Sequence, residues 1–124
     1  MNELEKMIRG EFYDPSDPLL ANMRTKAHCL CLEYNQLKET ESKKRNEILD
    51  ELFPDHGEGL FLQGPIQIDY GSNVHFGRGV YANFNFTVLD ICPVAIGDNV
   101  YMGPNVSLYG ALHPLDPDER RSYK

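Results

Sequence analysis

The residues able to move a proton, bind a metal or attack a carbonyl are few in this chain. Four histidines (His28, His56, His75, His113) and three cysteines (Cys29, Cys31, Cys92) stand among 19 carboxylates and 12 basic residues. Histidine titrates nearest neutral pH and is the natural general base. His113 stands beside Pro114, where a repeating stretch gives way to an irregular one, a place for an exposed loop. On the residues alone it reads either as a turn histidine or as a base. His28, His56 and His75 fall in no motif and read as structural or solvated. A zinc centre needs three converging protein ligands, which His75 with His113 do not supply. The cysteines are odd in number, at spacings of neither a zinc knuckle nor a redox pair. They read as buried thiols, and no metal or disulfide is expected.

Whatever chemistry these residues do must be positioned by two unlike stretches. A chain of 124 residues has room for one modest core. A formal charge of −7, with Lys43-Lys44-Arg45 as the only basic cluster, offers nothing to neutralise a phosphate backbone or hold an anionic bilayer, so nucleic acid and membrane are not expected partners. No apolar run approaches the length of a membrane span, and Met1-Asn2-Glu3-Leu4-Glu5 lacks the cationic lead and apolar core of a secretion signal, so a cytoplasmic location is expected.

Residues 1–54 have a helical composition, with no glycine after Gly10. About two to three helices are expected there. Asp17 can cap one with Pro18 at its first position, after which Met23, Ala27, Leu30, Tyr34 and Leu37 form one apolar stripe. A second starts near Thr40 or Ser42, carries Ile48, Leu49, Leu52 and Phe53 inward and stops at Pro54. These helices read as a cap over residues 55–115, with 116–124 a loop or terminal end.

From His56 the chain repeats every twenty residues. Three rows align column by column: Gly57, Gly77, Gly97; Leu60, Val80, Val100; Phe61, Tyr81, Tyr101; Ile66, Phe86, Val106; Ile68, Val88, Leu108. Within a row the aliphatic positions fall six apart, as in Phe76, Ala82, Val88 and again Ile96, Met102, Leu108. A six-residue step is a short strand plus a corner, so three steps close a triangular coil whose strands stack in parallel on the coil below. A β-sandwich would have no reason to repeat column by column. The fold class is therefore mainly β, a parallel β-helix of three coils, with its hand open on this evidence.

Ile96-Gly97-Asp98-Asn99-Val100 followed by Met102-Gly103-Pro104-Asn105-Val106 resembles the hexapeptide-repeat acyltransferases, which wind a left-handed parallel β-helix. Gly10-Glu11-Phe12-Tyr13-Asp14-Pro15-Ser16-Asp17-Pro18, Tyr70-Gly71-Ser72-Asn73, Tyr81-Ala82-Asn83-Phe84-Asn85 and His113-Pro114 narrow the resemblance to the maltose and galactoside O-acetyltransferases. That family moves acetyl from acetyl-coenzyme A to a sugar hydroxyl, as trimers with sites between neighbouring helices. The resemblance implies His113 as the base and Asn83 as the residue orienting the acceptor hydroxyl, with direct transfer and no covalent acetyl-enzyme. It places Asp14, Asp69, Tyr81 and Asp90 on the acceptor sugar. Around Asp90-Ile91 some members carry two adjacent acidic residues where this chain has one.

Family members continue past the stretch matching Pro114–Lys124 with further coils that supply most contacts to coenzyme A. Those contacts are therefore not assigned here, and acetyl transfer by these 124 residues alone is expected to be weak or absent. The alternative reading is a catalytically impaired β-helical remnant that serves as an assembly module.

Overall fold

The computed structural model describes residues 1–110. Three helices precede the strands: α1 (Glu3–Ile8), α2 (Pro18–Gln36) and α3 (Ser42–Leu52). α2 starts where its cap signal places it, with the Asp17 carboxylate accepting the Leu19 N–H and Pro18 at the first position, where its missing N–H costs nothing. It buries Ala27, Leu30, Cys31 and Tyr34, one stripe of its surface. α3 ends at Leu52, two residues short of Pro54, and buries Leu49 and Leu52 with Phe53 beyond its end. α1 completes the helical segment expected over residues 1–54, and its cap is the Asn2 side chain, which accepts the Glu5 N–H.

Eight short strands follow: β1 (Phe61–Leu62), β2 (Ile66–Ile68), β3 (Val74–Phe76), β4 (Tyr81–Ala82), β5 (Phe86–Leu89), β6 (Val94–Ile96), β7 (Tyr101–Met102) and β8 (Ser107–Tyr109). They stack as three parallel sheets, β1-β4-β7, β2-β5-β8 and β3-β6. Every register is a shift of twenty residues: Phe61 pairs with Tyr81 and Tyr81 with Tyr101, Ile68 with Val88 and Val88 with Leu108. The sequence columns are thus physical columns, one residue directly above its equivalent. Column two shows why glycine recurs, since a Cβ at Gly77 would fall 2.7 Å from the Asp98 amide nitrogen in the next coil.

The interior holds Leu62, Ile68, Val74, Val80, Ala82 and Val88, all with 0% exposure. Their third-coil counterparts Val100, Met102 and Leu108 are only half-buried, because no strand lies above β7 or β8 among the described residues. The cysteines depart from the buried-thiol expectation. Cys31 is buried, and burial pushes its thiol up to about 11, but Cys29 is exposed on the outer side of α2 and Cys92 is half-buried.

Among the described residues no strand lies beneath the lower edge of the first coil, and side chains from the helices take the place of one. Tyr34 Oη donates to the Leu62 carbonyl. Asn35 brackets Ile66, donating to its carbonyl at 2.9 Å and accepting its N–H at 2.7 Å. Arg45, 4% exposed, donates to the Leu62 and Gln63 carbonyls and to Tyr34 Oη, and its guanidinium lies 4.5 Å from the Tyr34 ring centroid and 5.4 Å from that of Phe61. No carboxylate among the described residues pairs with it, so carbonyl dipoles and ring faces carry the charge. Replacing Arg45 with Met keeps the apolar stem and strips the donors, which leaves Gln63 O without this partner. Such a variant is expected to lose about 3 kcal/mol of stability, read as a lower urea midpoint with unchanged slope.

Candidate active site

Two corners of the triangular coil carry the residues expected to do chemistry. The corner between the first and second sheets holds Asn83, at the end of β4 beside Tyr81. Asn83 N donates to Met102 O at 3.0 Å and its side-chain oxygen accepts the Phe84 N–H at 2.8 Å. The side-chain NH2, a neutral donor, is what remains for a ligand. The turn role that asparagine could have served at this corner falls to its neighbour: Asn85 and Asn105 adopt φ of 62° and 61°, stacked by a 3.0 Å side-chain hydrogen bond. Tyr81 sits within an outward aromatic ladder, 5.5 Å from the Phe61 ring and 4.6 Å from the Tyr101 ring, nearly parallel to both. Burial between these rungs, with the Tyr101 phenol beside it, pushes its hydroxyl up, so Tyr81 stays protonated at neutral pH and can donate.

The corner between the second and third sheets carries the expected carboxylates, and they are unlike each other. Asp69 follows β2 and points outward, with Oδ1 3.1 Å from His28 Nε2 on α2. Asp14 lies in the exposed loop before α2, where the Ser16 hydroxyl at 2.6 Å and the Ser16 N–H at 3.0 Å hold its carboxyl below the usual range. Arg24 of α2 ties loop to corner, donating to Pro15 O at 2.7 Å and to Tyr70 Oη at 2.8 Å.

Asp90 departs from its expected place on the sugar. It is 0% exposed, and its carboxylate accepts the backbone N–H groups of Tyr70 and Gly71 at 2.8 Å and of Asn73 at 3.2 Å, while its own carbonyl accepts from the Asn73 side chain at 2.7 Å. With its lone pairs so engaged, Asp90 organises the 70–73 turn and offers a dissolved sugar nothing. The turn has no room to move, since Gly71 has φ of 82° and a Cβ there would run into the Leu52 carbonyl. Column parity carried this signal. Side chains alternate in and out along a strand, Ile68, Val88 and Leu108 share an inward column, and the column two further on holds Tyr70 and Asp90.

In one copy, then, Asp14, Asp69 and Arg24 come together at one corner and Tyr81 with Asn83 at another, separated by the four residues of β5, roughly 13 Å of extended chain. His113 lies outside the described residues. The remaining histidines each meet an aspartate, His28 with Asp69, His56 with Asp50 at 2.7 Å and His75 with Asp55 at 2.7 Å. Sequence reasoning missed these pairs because two of them join residues 41 and 20 positions apart. Among the described residues no group of three or more His, Cys, Asp or Glu is placed to hold a metal, and no helix is long and apolar enough to cross a membrane. A cleft of about 180 Å³ between α2, α3 and the 70–72 turn, lined by Met23, Ala27, Leu30, Leu52 and Pro54, contains none of the expected site residues.

Comparison with known proteins gives these corners a context. The family profile described as the maltose acetyltransferase hexapeptide capping motif matches residues 6–57. A galactoside O-acetyltransferase of Lactococcus lactis is 39% identical over 98% of this chain and 59% of its own length. The crystal structure of a maltose O-acetyltransferase from Clostridium difficile superposes with a TM-score of 0.92 at 40% identity, covering 99% of this chain and 66% of that one. A hexapeptide-repeat acetyltransferase from Vibrio cholerae, crystallised with acetyl-coenzyme A, superposes at 0.86 with 34% identity over 100% and 67%. These neighbours are left-handed β-helices, and since superposition preserves hand, the present coil is left-handed too. The chain spans 63% and 59% of the length of the first two curated relatives it matches.

Burial pushes the Asp90 carboxyl up to about 6 from an ordinary 3.8, despite the three amides that favour its ionised form. A raised carboxyl pKa means the folded chain holds a proton that the unfolded chain has released, so this residue's contribution is full below about pH 4 and is lost as pH rises through about 6. Asp90→Asn is therefore expected to be destabilised, with a deficit against the native chain that shrinks between about pH 4 and about pH 6, measurable by urea unfolding at several pH values.

Proposed function

Because the chain belongs to the hexapeptide-repeat O-acetyltransferases of the maltose and galactoside kind, we propose that it transfers acetyl from acetyl-coenzyme A to a hydroxyl of a sugar such as maltose, glucose or a galactoside. The observation that carries this reading is the likeness, at 40% identity and a TM-score of 0.92, to a maltose O-acetyltransferase, with the expected acceptor-side residues Asn83, Tyr81 and Asp69 at outward corners of the same fold. The protein works in the cytosol as a homotrimer. What supports assembly is the placement of Asn83 and Asp69 at different corners, so that a site using both is built from two neighbouring copies.

A sugar hydroxyl is a poor nucleophile until its proton is removed during attack. His113 takes that proton as the hydroxyl oxygen bonds to the thioester carbonyl carbon. The Asn83 NH2 orients the hydroxyl, and Asp14 and Asp69 accept hydrogen bonds from other hydroxyls of the ring. The tetrahedral intermediate collapses with cleavage of the carbon–sulfur bond, and the proton held by His113 passes to the departing sulfur, leaving coenzyme A and an acetyl ester. No covalent enzyme intermediate forms, and no metal takes part.

In a chain extended past Lys124 by the further coils of the family, release of free thiol from acetyl-coenzyme A is expected to depend on added sugar, with His113→Ala lowering kcat roughly 10²–10⁴-fold while the acceptor KM changes little. Asn83→Ala is expected to lower kcat/KM by a smaller factor, roughly tenfold to a hundredfold. A folded trimer of that extended chain that releases no thiol with any of these sugars would defeat the enzymatic reading and leave an assembly module in its place.

A further inference from the structure

α2 presents Arg24 and His28 one turn apart, hence on one face of the helix. That face touches both stretches that carry the outward carboxylates. Arg24 holds Pro15 O, next to Asp14, and Tyr70 Oη, next to Asp69. His28 reaches Asp69 itself, its Nε2 3.1 Å from Oδ1. We propose that His28 is a positioning residue for the acceptor sugar, acting through Asp69; this rests on the acetyltransferase reading above.

A carboxylate at the end of a short strand can rotate about its side-chain bonds, and each rotamer presents its oxygens differently. By occupying Oδ1, His28 fixes the plane of the Asp69 carboxylate and leaves Oδ2 as the acceptor for a sugar hydroxyl. The pair is open to solutes, with 43% of the His28 side chain and 22% of that of Asp69 exposed. It is not what docks α2 on the coil. That work is done by buried Leu30 and Tyr34 and by the two hydrogen bonds between Asn35 and Ile66, whereas a surface ion pair adds little to docking. The consequence left to the pair is the orientation of Asp69.

Maltose serves as the probe acceptor and thiol release by the same extended chain as the readout. His28→Ala is expected to raise the KM for maltose about five- to tenfold, with kcat, the KM for acetyl-coenzyme A and the thermal midpoint nearly unchanged. In an Asp69→Asn background the same substitution is expected to add nothing, because the effect runs through that carboxylate. His28→Lys, which places a hydrogen-bond donor on the same turn, is expected to recover most of the loss. An unchanged maltose KM in His28→Ala, or a full additional loss in the Asp69→Asn background, overturns the positioning role while leaving the acetyltransferase reading in place. Absence of sugar-dependent release from the unsubstituted extended chain overturns that reading, and the role of His28 with it.

Discussion

A stack of parallel coils has one unavoidable problem, the hydrogen-bonding edge where the stack begins. Each coil satisfies the one beside it, so Phe61 N donates to Val80 O and Tyr81 N to Val100 O, but among the described residues no strand lies below the first coil. Here the problem is solved by side chains. Tyr34, Asn35 and Arg45 place hydroxyl, amide and guanidinium groups where a neighbouring strand would have placed backbone groups, while the backbone at Asp55 and Gly57 does the same for β3. Everything above depends on this, because a coil with unpaired carbonyls at its base would carry a desolvation penalty comparable to the stabilisation its few apolar contacts supply. It also explains why a cation can be buried without a counter-ion. Arg45 replaces the donors of a missing strand, and two aromatic faces share its charge.

Much of this architecture was legible in the sequence, for a physical reason. A twenty-residue repeat pairs each residue with its own column, so the alignment Phe61, Tyr81, Tyr101 is at once a sequence pattern and a stacked ladder of rings. The start of α2 was legible too, since Asp17 and Pro18 act through local chemistry that needs no tertiary partner. What escaped was long-range and polar. Nothing local distinguishes Arg45 from Lys43 or Lys44, yet only Arg45 turns inward to the coil. The His28–Asp69 contact likewise joins two residues that carry no motif of their own.

The carboxylates of the second corner show how finely a strand's alternation divides a buried acid from an outward one. Asp69 and Asp90 fall in adjacent columns of the repeat, one residue out of step. That single step turns Asp69 toward solvent and His28, and Asp90 into the fold beneath three amide groups. The resemblance treated both as acceptor contacts because it compared residue types along a line. Geometry separates them, and the neighbour of Asp90 in sequence, Ile91, packs into the small cluster around Met7, Leu20 and Tyr70. The acid at this point, Asp90, belongs to the turn.

This division bears on where such a fold can change without failing. Inward columns are fixed by stacking, and even a glycine in column two is held by the coil above it. Corners are freer, but not uniformly. At the first, Asn85 and Asn105 absorb the left-handed turn, so the strain of chain reversal does not fall on Asn83, which can be spent on a ligand. At the second, Asp90 and Gly71 lock the backbone, and Asp69 stands one step before that locked turn, on a rigid base. In both places the outward residue stands beside one that has taken over the structural duty, so a corner too short to hold a loop keeps a side chain free for the proposed site.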